Sequence, residues 1–306
     1  MAFSASDAAL EGFHIVRREP RAVAGWSVVQ LIFGIAVTVA TVPFMQPLMD
    51  IQATRLTGGA LTPAQTMAVL EPTLGFLAVL IPLELVVVSV LGAAVYRVVL
   101  RPGDQGLTAR LRLGGDELRL AILWIELGFL FWIVGFVVLV AVATVGLMVG
   151  AAMKTSPAGA VVTVMISYLV VLAVMVWLAV RFSLAAPMTF ATRKVQLVSA
   201  WRLTRGRFWP LFSCYLLTFV FVMIILMAQL CIVAVVSLIM SGGSLTNAAA
   251  QAMRPDYSSL AAYLTPTRIV GLLFNSLLGG VYWSVALAPA AVAYKEFAGQ
   301  GVRPSA

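Results

Sequence analysis

Six apolar runs organise the chain, near residues 21–44, 74–98, 119–150, 159–188, 209–240 and 267–293. Each exceeds the ~20 residues that a helix needs to cross about 30 Å of hydrocarbon, so each is read as a transmembrane helix. The third and fifth are longer than a straight crossing requires and must tilt or protrude. A short turn at 151–158, with Lys154 and Pro157, joins the third run to the fourth. Longer polar loops are expected at 45–73 and 241–266, where Thr57-Gly58-Gly59 and Ser241-Gly242-Gly243 interrupt the pattern. The predicted architecture is an all-α polytopic transmembrane bundle of six spans, a single integral membrane domain over 1–306.

Composition agrees with that reading and excludes a soluble fold. Apolar residues make up 62% of the chain and charged residues 10%, with a mean hydropathy of +1.03. A soluble domain is about 45–50% apolar and ~25% charged. Lipid must cover the surplus. Cys214 and Cys231 lie 17 residues apart in one predicted helix, too far along its axis to bridge at about 1.5 Å per residue. With His14 as the only histidine, no metal site is expected, and no cofactor.

The net charge of +8 is distributed asymmetrically. Arg17, Arg18, Arg21, Arg97, Arg101, Arg110, Arg112, Arg119, Arg181, Arg193, Lys194, Arg202, Arg205, Arg207, Lys295 and Arg303 flank one side of the predicted spans. Only Arg55, Lys154, Arg254 and Arg268 flank the other. Basic residues concentrate in cytoplasmic loops, so both termini and the loops near 99–118 and 189–208 are expected in the cytoplasm. Acidic residues within the first 20 positions and the lack of a short apolar core with a cleavage site argue against a removable signal peptide.

Short amphipathic, Arg-bearing segments precede the odd-numbered spans: Ser4 to Arg18, Leu107 to Leu118, and Thr192 to Arg207, where Val195, Val198 and Trp201 recur at helical spacing. These are read as cytoplasmic interfacial helices. Pro20 and Pro210 suit a first helical turn, Asp116 is placed to cap the third span beside Glu117, and Gly206 to end the preceding short helix. The chain thus divides into three helical-hairpin units, 1–98, 99–194 and 195–306. Repeated units explain this, as they do in many transporters; so, more economically, does the alternation of basic loops and apolar runs in any polytopic protein.

Few polar groups fall inside the spans. Glu84 lies about ten residues into the second, near the bilayer centre, and Gln229, Asn275, Ser167 and Tyr168 reach similar depth in the outer half. A carboxylate there is unfavourable by roughly 2.5–3.5 kcal/mol on insertion scales, which makes it either a functional group reached by water or a protonated one bonded between helices. Glu126 and Arg181 sit at depths that allow an ion pair locking the third and fourth spans into a hairpin. Arg193, Lys194, Trp201, Arg202, Arg205, Arg207 and Trp209 form the densest cationic and aromatic cluster, which at a membrane entrance reads as an anchor to anionic lipid headgroups rather than a nucleic-acid site. Gly128, Gly135, Gly271, Gly279 and Gly280 permit close helix packing.

No hydrolase, zinc-protease or phosphate-loop motif is present, and no enzymatic activity is expected. Asp7-Ala8-Ala9-Leu10-Glu11-Gly12-Phe13 before Arg17-Arg18-Glu19-Pro20, and Ser199-Ala200-Trp201-Arg202-Leu203-Thr204-Arg205-Gly206-Arg207-Phe208-Trp209, in a six-helix layout with short cytoplasmic helices, resemble a bacterial family related to the membrane domain of glycerophosphodiester phosphodiesterases. The resemblance implies an inner-membrane bundle without the soluble catalytic domain, so it carries over no active-site residue. The expected function is a non-enzymatic membrane component that handles lipid or a small solute or supports a membrane process. The alternatives are a secondary transporter or channel using Glu84, and a scaffold recruiting partners through its basic helices.

Overall fold

The computed structural model describes residues 3–56, 63–102, 111, 114–153, 157–253 and 255–300. Among these residues the secondary structure is helical: α1 (Ala5–Arg18), α2 (Pro20–Leu56), α3 (Pro63–Leu100), α4 (Gly115–Met153), α5 (Pro157–Phe182), α6 (Ala185–Thr192), α7 (Leu197–Leu203), α8 (Phe208–Met240), α9 (Leu245–Met253), α10 (Leu260–Tyr263) and α11 (Pro266–Gln300). Six spans are long and apolar enough to cross a membrane: Pro20–Met49, Met67–Leu100, Gly115–Gly146, Val161–Thr192, Phe208–Met240 and Pro266–Gly299. The protein is an all-α, multi-pass membrane protein. In lipid every backbone polar group must be satisfied within the segment, and the helix does this.

Two of the expected loops are largely helix. Through the first, α2 runs on to Leu56 and α3 starts at Pro63. Gln46, Leu48, Met49, Gln52, Ala53 and Leu56 are favourable or tolerated helix residues, and Pro63 fits a first turn. In the second, Gly242 and Gly243 take positive φ (65° and 82°) and end α8; Ser244 accepts a hydrogen bond from the Asn247 N–H as α9 begins. The fourth span is broken at Ser183–Leu184 rather than continuous to 188. The cause is Pro187, whose ring clashes with the carbonyl four residues back, that of Ser183. Asp116 does not cap α4 from outside but lies within its first turn with Glu117. Half of the segment 107–118, residues 107–110, 112 and 113, lies outside the described residues.

The last helix is the hub. α11 packs against α2, α3 and α8, and α1 lies across α11 and α8; α4 and α5 pair with each other and join the remainder through α3, α6 and α8. Burial is concentrated at one end, the base, which holds α1, α6, α7 and the end of α11. There Trp26, Tyr96, Phe190, Leu120, Leu123, Leu184, Leu211 and Val285 are fully enclosed. At the far end the helices splay. On α5, Val161, Val162, Val164, Met165, Ile166, Tyr168 and Leu169 are all exposed, which leaves only the face toward α4 covered.

Backbones approach closely at two points on α11. A Cβ on Gly12 would lie 2.4 Å from Val285 Cα and 2.7 Å from the Ser284 carbonyl oxygen, so α1 touches α11 main chain to main chain. A Cβ on Gly280 would lie 2.5 Å from Ser27 Oγ and 2.6 Å from the Val23 carbonyl oxygen. Ser27 donates across the same contact to the Leu277 carbonyl (3.0 Å) and within its own helix to the Val23 carbonyl (3.1 Å). Gly128 meets nothing within 4 Å.

These contacts set an asymmetric expectation for single methyl additions. Gly12→Ala lowers stability by about 1–3 kcal/mol, because backbone atoms cannot move aside as a side chain would. Gly128→Ala is neutral or slightly stabilising, since it adds helix propensity in open space. Thermal unfolding of purified protein in detergent measures both; equal midpoints for the two variants would contradict the α1–α11 contact.

Candidate functional site

Between α2, α3, α8 and α11 lies a cavity of about 500 Å³, open rather than sealed, within the ~300–1,000 Å³ of small-molecule sites. α2 contributes Gln30, Phe33, Gly34, Val37 and Thr38; α3 contributes Glu84; α8 contributes Gln229, Val233 and Ser237. The start of α11 and the end of α10 close its far side with Tyr263, Leu264, Thr265, Thr267, Arg268, Gly271, Leu272 and Asn275. Three of the polar residues singled out from sequence, Glu84, Gln229 and Asn275, meet here. Gln229 donates through Nε2 to Asn275 Oδ1 at 2.8 Å, joining α8 to α11. Glu84 is exposed to the cavity, and no described residue forms a hydrogen bond or ion pair with it.

Gln30 was not singled out, although its position ten residues into the first span makes it visible as a polar group at depth. It lies over Gly279, where a Cβ would sit 2.6 Å from its Cγ, and its Oε1 accepts from Trp283 Nε1 at 3.0 Å. That clamp fixes the amide at the cavity wall. Ser167 and Tyr168 lie elsewhere, on α5: Ser167 donates to the Thr163 carbonyl at 2.8 Å and Tyr168 projects outward.

The cavity rim is aromatic. Tyr257 stacks on Tyr263 with ring centroids 5.2 Å apart, and the Arg268 guanidinium lies 4.8 Å over the Tyr263 ring while donating to its hydroxyl at 3.3 Å. Burial, with the neighbouring Tyr263 phenol, pushes the Tyr257 phenol above its ordinary pKa. Hydrogen bonds from Ser258, side chain first and then backbone, hold the Asp256 carboxyl below its ordinary value.

At the base the charges are arranged differently from the expected Glu126–Arg181 pair, which the structure does not bring together. Glu126 is exposed. Arg181 donates to the Thr204 carbonyl at 3.1 Å and lies 5.6 Å over Trp177 and 5.3 Å over Trp201, so α5 is tied to the end of α7 instead. The ion pair that joins adjacent spans is Arg97 of α3 with Glu117 of α4, both buried. Beside it Asp116 accepts from Arg101 (3.1 Å) and Arg119 (3.0 Å), and Arg101 also reaches the Phe190 carbonyl at 3.2 Å. Sequence counting placed these arginines only as topological markers, because the fold alone reveals that α3 ends beside the start of α4.

The basic cluster divides by exposure. Arg193, Lys194, Arg202, Arg205 and Trp209 are exposed at the base, whereas Trp201 packs edge-on against Trp177 (5.1 Å) and Arg207 lies 4.5 Å over the Phe297 ring. Arg193 takes a left-handed backbone (φ 56°), ending α6, and Gly206 (φ 78°) follows the cap of α7. Among the described residues no group of His, Cys, Asp or Glu is placed to hold a metal ion. No protein-family model, curated protein or solved structure matches the chain.

Double-mutant cycles separate the two charge arrangements. Arg97→Met alone strands the buried Glu117 carboxylate and lowers stability by about 3–5 kcal/mol, while adding Glu117→Met restores much of that loss. Glu126→Gln and Arg181→Gln add within about 0.5 kcal/mol. Thermal midpoints of the purified variants give both coupling energies.

Proposed function

We propose that this multi-pass membrane protein is a non-enzymatic component of a bacterial inner membrane that binds lipid or a small solute in the cavity between α2, α3, α8 and α11. The observation that carries the reading is convergence. Polar side chains from separate helices, Gln30, Glu84, Gln229 and Asn275, meet at membrane depth around one space. Intramembrane polar groups are unfavourable unless they pair with one another or line a path or a site, and these converge on one cavity. Aliphatic residues such as Val37, Val233 and Leu272 share the same walls, which suits a ligand with both polar and apolar parts.

Orientation belongs to the same proposal. Arg17, Arg18, Arg193, Lys194, Arg202 and Arg205 surround the base, and the positive-inside tendency makes that end cytoplasmic, with both termini inside. Exposed Arg193, Lys194, Arg202, Arg205 and Trp209 then contact anionic headgroups, each cation contributing about 1 kcal/mol near such a surface. The resemblance to the membrane domain associated with glycerophosphodiester phosphodiesterases rests on segments that fall in α1 and in α7 with the start of α8, all elements of the base. It supports a shared scaffold and no phosphodiesterase chemistry. A transporter reading draws on Glu84, whose carboxyl faces the cavity without a protein partner among the described residues.

Two measurements check the proposal. In a background with both native cysteines replaced, a membrane-impermeant maleimide labels Ser244→Cys in intact spheroplasts, and labels Arg205→Cys only after permeabilisation; the reverse order overturns the orientation. Mass spectrometry of purified protein finds a co-purified lipid or solute that Val233→Trp, which fills the cavity, reduces at least about fivefold at unchanged monodispersity. Equal retention by the filled variant removes the cavity from the function.

A further inference from the structure

Resting on the cavity reading, we propose that the ligand is a cationic amphiphile, an alkylammonium whose head pairs with Glu84 and whose chain lies along Val37, Val233 and Leu272. Charge placement selects the head. Glu84 and Arg268 are the ionisable residues that line the cavity, apart from the Tyr263 phenol. Arg268 is already stacked on Tyr263 and bonded to its hydroxyl, whereas Glu84 has no ion-pair or hydrogen-bond partner among the described residues. A carboxylate set in a low-dielectric wall gains most from a ligand that brings its own positive charge.

Neighbouring groups complete the site. Because Gln229 donates its Nε2 to Asn275, its amide oxygen is left to accept from an ammonium N–H. Phe33, on α2, supplies an aromatic side chain to the lining, the kind of surface that cations favour. The surroundings select a chain rather than a bare ion. On α3, Leu77 and Ile81 lie seven and three residues before Glu84, on the same face of the helix, and both are exposed. The cavity therefore borders the lipid-facing surface, and a molecule held in the bilayer by its tail reaches Glu84 without crossing water.

Photolabelling distinguishes this from its rivals. Wild-type protein in phosphatidylcholine nanodiscs is exposed to decyl probes with the same diazirine-bearing tail and an ammonium, hydroxyl or carboxylate head. Labelled positions are mapped by mass spectrometry. Comparing each probe between wild type and variant cancels its partition into lipid. The expected result is ammonium labelling at Val37, Val233 and Leu272 that falls about tenfold or more in Glu84→Gln, as expected for loss of a charge-assisted bond. Hydroxyl labelling stays unchanged in that variant, which shows that the cavity is intact, and Glu84→Asp keeps the ammonium labelling.

Ammonium labelling unaffected by Glu84→Gln, or cavity labelling strongest with the carboxylate probe, overturns the cation assignment and leaves the cavity reading standing. If none of the three probes labels cavity residues, the cavity reading fails and takes this inference with it.

Discussion

The bundle is held by the approach of two helices to the main chain of a third. α11 receives α1 at Val285 through Gly12 and receives α2 at Gly280 through Ser27 and Val23. Within lipid there is no hydrophobic gain from bringing apolar helices together, so close van der Waals contact and interhelical hydrogen bonds provide the attraction. Glycine permits both. Where these contacts occur, Trp26, Leu91, Ala94 and Ala288 are enclosed in one apolar cluster. Where they are absent, toward the far ends of α4 and α5, side chains face outward on nearly every side.

Packing density and the cavity are two results of the same distribution. The base is filled by aromatic and aliphatic residues and pinned by the buried Arg97–Glu117 pair, so its helices cannot separate cheaply. Above it the helices diverge, and polar side chains occupy the space between α2, α8 and α11. Gln30 links the two regions: it sits on Gly279, one residue from the tight contact at Gly280, and still lines the cavity. A rigid lower half holds the wall residues in register, which is what a binding site needs from its scaffold.

Much of the fold was legible because the bilayer imposes simple rules. Length and apolarity of each run fixed six helices, Pro20 and Pro210 marked helix starts, and Gly206 marked a stop. Helix continuation past the membrane edge was missed at 45–56, where polar residues were read as loop although most of them favour a helix. Of the site, Glu84, Gln229 and Asn275 could be found by depth alone. Their meeting could not, and neither could the separation of Ser167 and Tyr168, because depth in a span says nothing about which way a helix faces. The Glu126–Arg181 expectation rested on depth as well, and the two side chains do not meet: Glu126 is exposed and Arg181 bonds the Thr204 carbonyl. Arg97 and Glu117 were hidden by a different limit: their pairing depends on tertiary contact across a loop.

The paired helices α4 and α5 have a mechanical consequence. They are secured at one end by Glu117 and Asp116 of α4 and by Arg181 of α5, and toward their far ends most side chains face outward. Such a pair behaves as a cantilever, in which a small rotation at the clamp becomes a large displacement at the tip. The bilayer presses directly on the free length, so its thickness and lateral pressure act as a load on this part of the molecule more than on any other.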